Sequence, residues 1–342
     1  MLLSTGSIGS SCEASSPRHP LRMDVARLVN GLGGMAQKRQ LVARGARDHH
    51  LTAAVRNGSV IRARQGWYTT MPAQDRRVRA VRVGGRLTGL SAIAALGGRV
   101  LSETVLHVAL PRNAARLRSQ HDRRVHPPAP RIRGVRLHWQ EQAPGSAWSV
   151  ALVEALGCVI HDESREQAIA VLDWALHTGR VDRLEVERLL VGTRIVWSDL
   201  DSECESLPES LARTRLRAAG HSVRSQVRFG GLERIDLVVD DIVGLEVDGE
   251  AYHRDSFEED RAKDGRILSA GYIPYRPSAR SVFSDWPTVL AAIEVALSTF
   301  GNSGRPPPKR QVWRRKAPTA PRIPEFPDGA GMRAGGAALA LP

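Results

Sequence analysis

Carboxylates at alternate positions of a strand share a face, and the stretch Arg234 to His253 offers such a set. It reads Arg-Ile-Asp-Leu-Val-Val-Asp-Asp-Ile-Val-Gly-Leu-Glu-Val-Asp-Gly-Glu-Ala-Tyr-His. Ile235, Leu237 and Val239 alternate with Arg234, Asp236 and Val238, and Val243, Leu245 and Val247 alternate with Gly244, Glu246 and Asp248. That is the pattern of two strands in a hairpin. Glu246 and Asp248 then project together, about 7 Å apart. A three-residue loop over Asp240, Asp241 and Ile242 sets Asp236 across from Glu246, with Cβ atoms about 5 Å apart. A two-residue turn instead moves Asp236 to the other face. The first register is expected, because it gathers Ile235 and Leu237 with Leu245 and Val247 on one apolar face. Three like charges on the opposite face call for a cation, and clustered Asp and Glu oxygens suit a divalent metal. Taken singly, each residue has a plainer reading: Asp-Gly after a strand is turn chemistry, and Asp236 could be an edge-strand charge.

The order of motifs extends further. Ile235-Asp236, then Glu246-Val-Asp-Gly-x-x-x-His253, then Asp260-Arg-x-Lys-Asp264, then Gly271-Tyr-x-x-x-Arg276 resembles the Vsr-like very-short-patch-repair endonucleases, a branch of the PD-(D/E)XK nuclease superfamily. The resemblance covers about Ser202 to Phe300. It implies a restriction-endonuclease-like mixed sheet flanked by helices, with Mg2+ (or Mn2+) dependent cleavage of a phosphodiester. The superfamily's lysine, two residues after the sheet Glu, is Asp248 here, and Lys263 on the next helix is the nearby candidate for its role. Asp236 and Glu246 are the expected first metal ligands, and Asp248 a third ligand or the orienter of another group. His253 is placed to move a proton, and Lys263 and Arg276 to stabilise phosphoryl charge. Ser206-Leu-Pro-Glu209 is a capping-box pattern opening a helix to about Ala219. In the resembled family this helix often presents a carboxylate to the metal, which makes Glu209 a candidate ligand and Glu205 a weaker one. Gln226, on an expected strand from His221 to Phe229, resembles a polar residue at the edge of that site. Asp255 or Ser256 is expected to cap the helix carrying Phe257, Ile267 and Leu268. A strand from Tyr272 to Arg276 and a helix opening at Trp286-Pro287 complete this part.

Residues Asp24 to Thr70 are expected to form three short helices, the second over Met35 to Arg44 and the third over Arg47 to Arg56, followed by a hairpin from Ser59 to Thr69. Gly33-Gly34, Leu41-Val-Ala-Arg-Gly45 and Val60-Ile-Arg-Ala-Arg-Gln-Gly-Trp-Tyr68 resemble the winged helix-turn-helix of AbiEi-type antitoxins. In such a module the third helix enters the major groove and basic wing residues meet phosphate. Arg47, His50, Arg56, Arg62 and Arg64 are the candidate DNA contacts; the same module also serves for docking a protein partner.

The middle of the chain carries weaker signals: helices over Leu90–Leu96, from Asp162 or Ser164 through Leu176, and over Val181–Leu190, with strands over Thr104–Leu110 and Arg131–Trp139. It is expected to continue the antitoxin-like half. His107, His138, His161 and His177 show no ligand spacing and are expected at the surface or satisfied by hydrogen bonds. Arg112 to Arg133 is a basic loop. The expected layout is a multidomain α/β (α+β) chain: a disordered leader (1–22), the winged helix (23–72), a mixed α/β middle region (80–195), the endonuclease-like part (202–300) and a disordered basic tail (301–342).

Across its 342 residues the chain carries a formal charge of +13, which favours a polyanionic partner such as DNA. Three scattered cysteines offer neither a disulfide framework nor a zinc spacing, so a reducing cytoplasm is expected. No apolar run approaches the roughly 18 residues of a membrane span. The leading expectation is a metal-dependent DNA endonuclease in phage defence, a toxin-antitoxin setting or DNA repair. The alternatives are a DNA-binding autoregulator that does not cut, and an interaction protein that uses its N-terminal half.

Overall fold

The computed structural model describes residues 23–127, 132–140, 144–229, 231, 233–248 and 257–301. The expected leader, most of the expected tail, the Asp255 or Ser256 cap and His253 lie outside them. Mixed α and β structure runs throughout, with three separate sheets along the chain.

Near the N-terminus, α1 (Val25–Asn30), β1 (Met35–Gln37), α2 (Lys38–Val42), α3 (Asp48–Arg56), β2 (Ile61–Arg64) and β3 (Trp67–Thr69) follow one another. Asp24 starts α1 by accepting the Arg27 N–H at 2.9 Å, satisfying an otherwise orphaned helix donor. The strands lie in the order β1-β3-β2, and Val29, Leu41, Leu51, Val60 and Tyr68 fill the core between sheet and helices. One expectation is corrected: Met35 to Gln37 is a strand rather than the start of the second helix. Met35 and Ala36 are buried and pair antiparallel with Thr69 and Tyr68, so cross-strand pairing overrides their helical propensity.

The middle stretch holds α4 (Arg76–Val83), β4 (Arg86–Leu87), α5 (Gly89–Ala95), β5 (Leu106–Pro111), β6 (Val135–Gln140), α6 (Leu152–Asp162), α7 (Arg165–His177) and α8 (Arg183–Leu190). β4 runs antiparallel to β5, and β5 parallel to β6. Ser164 caps α7 through the Gln167 N–H. Neither α4 nor α6 was expected. In α4, Arg76, Arg77, Arg79 and Arg82 obscure the apolar period of Val78 and Val81. Arg82 is itself buried, its guanidinium donating to the carbonyls of Gln120 and Ala73.

The C-terminal part comprises α9 (Leu207–Ala218), β7 (Val223–Phe229), β8 (Glu233–Val239), β9 (Val243–Leu245), α10 (Phe257–Ser269), β10 (Ile273–Tyr275), α11 (Ala279–Ser284) and α12 (Trp286–Gly301). The sheet order is β10-β9-β8-β7, with β10 parallel to β9 and the other pairs antiparallel. Leu211 and Leu216 of α9 pack with Leu237, Val239, Val243 and Leu245 and with Ile293 of α12. Ile235 joins a second cluster with Val238, Phe229 and Ile267, so it does not group with Leu237 as expected. A Cβ on Gly244 would stand 3.0 Å from the Ile267 side chain; the bare backbone there lets α10 lie close over β9. Among the described residues no helix is long and apolar enough to cross a membrane.

Helix α9 is fixed by α7. The Arg213 guanidinium donates to the Asp173 carboxylate at 2.9 Å and to the Asp199 carbonyl at 2.7 Å, while the Ser210 hydroxyl and the Asp201 N–H also donate to Asp173. Both charged groups are about fully buried. Arg215 adds a two-pronged bond to Glu166, at 2.7 and 2.9 Å. Removing one partner of a buried pair strands the other charge. Arg213→Leu is therefore expected to destabilise the chain by about 3–5 kcal/mol in urea unfolding, and Asp173→Leu combined with Arg213→Leu by clearly less. Equal losses for the single and double variants would contradict this account.

Candidate active site

The register of β8 and β9 is the expected one. Val239 pairs with Val243 and Leu237 with Leu245, so Asp240, Asp241 and Ile242 form the loop and Asp236 comes opposite Glu246. Asp240 and Asp241 both adopt positive φ, 48° and 58°, and the Ile242 N–H closes the turn on the Val239 carbonyl at 2.9 Å. Asp tolerates this left-handed backbone better than most residues, and local partners hold it. His221 and the Ser222 N–H bind the Asp240 carboxylate at 2.7 Å each, and Arg224 pairs with Asp241.

Beyond Leu237 and Leu245 the paired ladder stops, and the two carboxylates take its place. The Asp236 N–H donates to Glu246 Oε1 at 3.2 Å, and the Val247 N–H donates to Asp236 Oδ2 at 3.0 Å. On the other side of Glu246, its N–H donates to the Tyr275 carbonyl of β10. Lys263 of α10 sets its ammonium directly on Glu246 Oε2. Glu209, in the first turn of α9, completes the group: Oε2 accepts from Gln226 Nε2 at 3.0 Å and from the Glu205 N–H at 3.1 Å. The expected capping box is therefore half formed. Ser206 accepts the Glu209 N–H, but the Glu209 carboxylate turns to Gln226 and Glu205. Gln226 reaches it from a positive-φ backbone (50°) in the middle of β7.

The electrostatics follow from burial. Glu246 is 5 % exposed; burial and the neighbouring Asp236 push its carboxyl up to about 7, against the pull of Lys263. Burial likewise raises Asp236. Burial, then Asp236, raises Glu209. Carboxylate oxygens of this kind are the donors a hard divalent cation takes.

Asp248 lies apart from this group. Its carboxylate meets Arg276 Nη1 at 3.3 Å, and its backbone continues the sheet through Pro277 and Ala279. The same Arg276 binds Asp264 at 2.6 Å and Asp260 at 3.1 Å. Asp248 thus orients Arg276 rather than standing as a third ligand, and Arg276 is engaged by three carboxylates. Asp260 and Asp264 had no assigned role; being four apart on α10 they share a helix face, which is the signal for their joint grip on one guanidinium.

Of the five N-terminal basic candidates, Arg47 and Arg56 are exposed. His50 is half-buried and accepts the Arg47 N–H at Nδ1, 3.1 Å, which closes the start of α3. Arg62 is half-buried, with Nε buried and without a hydrogen-bond partner. Arg64 is turned inwards: its guanidinium donates to the carbonyls of Arg82 and Val83 at the end of α4 and of Arg116. It fastens the N-terminal hairpin to the middle of the chain, a correction to its expected place on phosphate. A cavity of about 690 Å3, lined by Gln37, Arg39, Trp67, Arg86 and Gln140 among others, lies between these regions and includes none of the carboxylates.

Two histidines are satisfied by hydrogen bonds, as expected, His138 bonding both Asp162 and His107. His107 of β5 and His138 of β6 stack with centroids 5.2 Å apart, beside Cys158 and Asp162 of α6. Among the described residues, His138, Cys158 and Asp162 are the one set of three His, Cys, Asp or Glu side chains whose ligand atoms all lie within 4.8 Å of one another. Asp236, Glu246 and Glu209 are not gathered that tightly. No family model and no curated protein matches the chain.

A carboxyl whose folded-state pKa exceeds its unfolded value stabilises the fold fully below the unfolded value, and that contribution is lost as pH rises through the folded one. For Glu246 the window runs from an ordinary 4.5 to about 7. In metal-free buffer, thermal melts of Glu246→Gln between about pH 5 and pH 8 are expected to lose about 1–3 kcal/mol less stability than wild type. Parallel pH profiles for the two proteins would contradict the assignment.

Proposed function

We propose that the chain is a DNA-binding, metal-dependent endonuclease whose C-terminal sheet carries the reaction, as its resemblance to Vsr-like enzymes implies. The observation that supports this reading best is the meeting of Asp236 and Glu246 at the end of the β8–β9 ladder, with Lys263 seated on Glu246. Asp236, Glu246 and Glu209 offer the oxygen donors that fit Mg2+ or Mn2+. Such an ion, when bound, polarises a phosphoryl oxygen and lowers the pKa of its water.

The chain's own residues divide the remaining work. Lys263 holds an ammonium beside the carboxylates, where it offsets negative charge developing on a phosphoryl group. This is the role left open by Asp248 at the position of the superfamily's lysine. Asp248, Asp260 and Asp264 fix Arg276 and with it the packing of α10 against β10. Gln226 and the Glu205 N–H orient Glu209. Proton transfer is assigned to His253 on its sequence position. In the N-terminal part, Arg47 and Arg56 at the two ends of α3 are the exposed cations offered to phosphate, in keeping with the resemblance to a winged helix-turn-helix. A second reading, a DNA-binding autoregulator that does not cut, is favoured by one observation: the carboxylates do not gather into a three-ligand set among the described residues.

With Mg2+ or Mn2+, the full chain is expected to cleave DNA, Asp236→Ala and Glu246→Ala to abolish cleavage, and Lys263→Met to slow it by about 100-fold. Binding without cutting, unchanged by these substitutions, would establish the regulator instead. In DNA-binding titrations against salt, Arg56→Ala is expected to reduce the logarithmic salt slope by about 1. Arg64→Ala should leave that slope unchanged while lowering thermal stability; the reverse pattern would overturn the division between these two arginines.

A further inference from the structure

We propose that His138, Cys158 and Asp162 form a second metal site, one for a borderline-soft cation of the Zn2+ class, in the middle of the chain. It is separate in sequence and in chemistry from the carboxylate group of the C-terminal sheet.

The donors come from two elements. Cys158 and Asp162 lie four apart on α6, so their side chains share one helix face, and that face meets His138 on the neighbouring strand β6. Their ligand atoms lie within 4.8 Å of one another, a spacing one ion spans. Thiolate, imidazole and carboxylate together select Zn2+ over Mg2+ or Ca2+. Cys158 and His138 are largely screened from solvent, whereas Asp162 is exposed, its side chain 38 % accessible. The exposed carboxylate leaves a route for the ion.

The surroundings act on the donors as partners of metal ligands do. Cys158 Sγ accepts from Thr88 Oγ1 at 3.2 Å and from Gln140 Nε2 at 2.8 Å, contacts that fix the orientation of the sulfur as partners of a metal ligand do. The other arm of that amide, Gln140 Oε1, is buried without a hydrogen-bond partner.

Behind the proposed ligands, His138 Nδ1 lies 3.0 Å from the Asp162 carboxylate and His138 Nε2 lies 3.2 Å from His107 Nδ1. His107 thus stands against the far side of the ligating imidazole and orients it, as partners of metal-binding histidines do.

Co2+ titration of the metal-free full chain, followed by absorption, tests the site. The expected result is a thiolate-to-cobalt charge-transfer band that saturates at one ion per chain and disappears on adding Zn2+. Cys158→Ser is expected to lose the band, Cys204→Ser to keep it, and Asp162→Asn, at an exposed position, to weaken Co2+ affinity by about 10-fold or more. A circular-dichroism spectrum matching wild type ties the loss in Cys158→Ser to the ligand rather than to unfolding. No charge-transfer band in wild type, a band that survives Cys158→Ser, or affinity unchanged in Asp162→Asn would each overturn the proposal.

Discussion

Two facing carboxylates on adjacent strands, Glu246 buried and Asp236 half-buried, are the constraint around which the C-terminal part of the chain is arranged. Unit charges about 5 Å apart repel by about 3 kcal/mol at an effective dielectric near 20, a sizeable fraction of the stability of an ordinary domain. The protein meets this in two ways visible around Asp236 and Glu246. Backbone N–H groups of Asp236 and Val247 donate into the pair. Lys263 seats one ammonium on Glu246. What these leave unbalanced appears as carboxyl groups raised by their burial and by one another.

The geometry of that pair is inherited from distant parts of the chain. The positive-φ turn at Asp240 and Asp241 sets the register, and a shift of one residue would turn Asp236 to the other face. Glu209 reaches the group because α9 is fastened to α7 by Asp173 with Arg213 and by Glu166 with Arg215. The middle of the chain thus helps to build the site although it contributes no carboxylate to it. Arg64 does comparable work at the other end, tying the N-terminal hairpin to the last turn of α4.

Much of this was legible in the sequence where local rules decide. The apolar face expected of Ile235 and Leu237 with Leu245 and Val247 predicted the register of the hairpin, although Ile235 packs in another cluster, and Ser206 and Ser164 marked helix starts where helices begin. Lys263 was placed next to the site by its motif. Asp248 was left between two roles because strand alternation says nothing of Arg276, whose guanidinium it meets. Arg64 was assigned to phosphate because a sequence shows that an arginine is present, not that three carbonyls await it. Met35 to Gln37 looked helical until Thr69 and Tyr68 supplied its strand partner. The histidine cluster escaped notice for a related reason: His107, His138, Cys158 and Asp162 come from β5, β6 and α6, so no spacing along the chain announces them.

The two proposed sites differ in character, a set of carboxylate oxygens in the C-terminal sheet and a cluster of sulfur, nitrogen and oxygen donors in the middle of the chain. The proposed function turns on whether Asp236 and Glu246 hold a divalent cation between adjacent strands. Electron paramagnetic resonance of Mn2+ added to the metal-free chain at about pH 8, above the raised Glu246 value, tests that claim most directly. Mn2+ is expected to bind wild type, to be displaced by Mg2+, and to bind Asp236→Asn far more weakly. Undiminished Mn2+ binding by Asp236→Asn, or none by wild type, would contradict it.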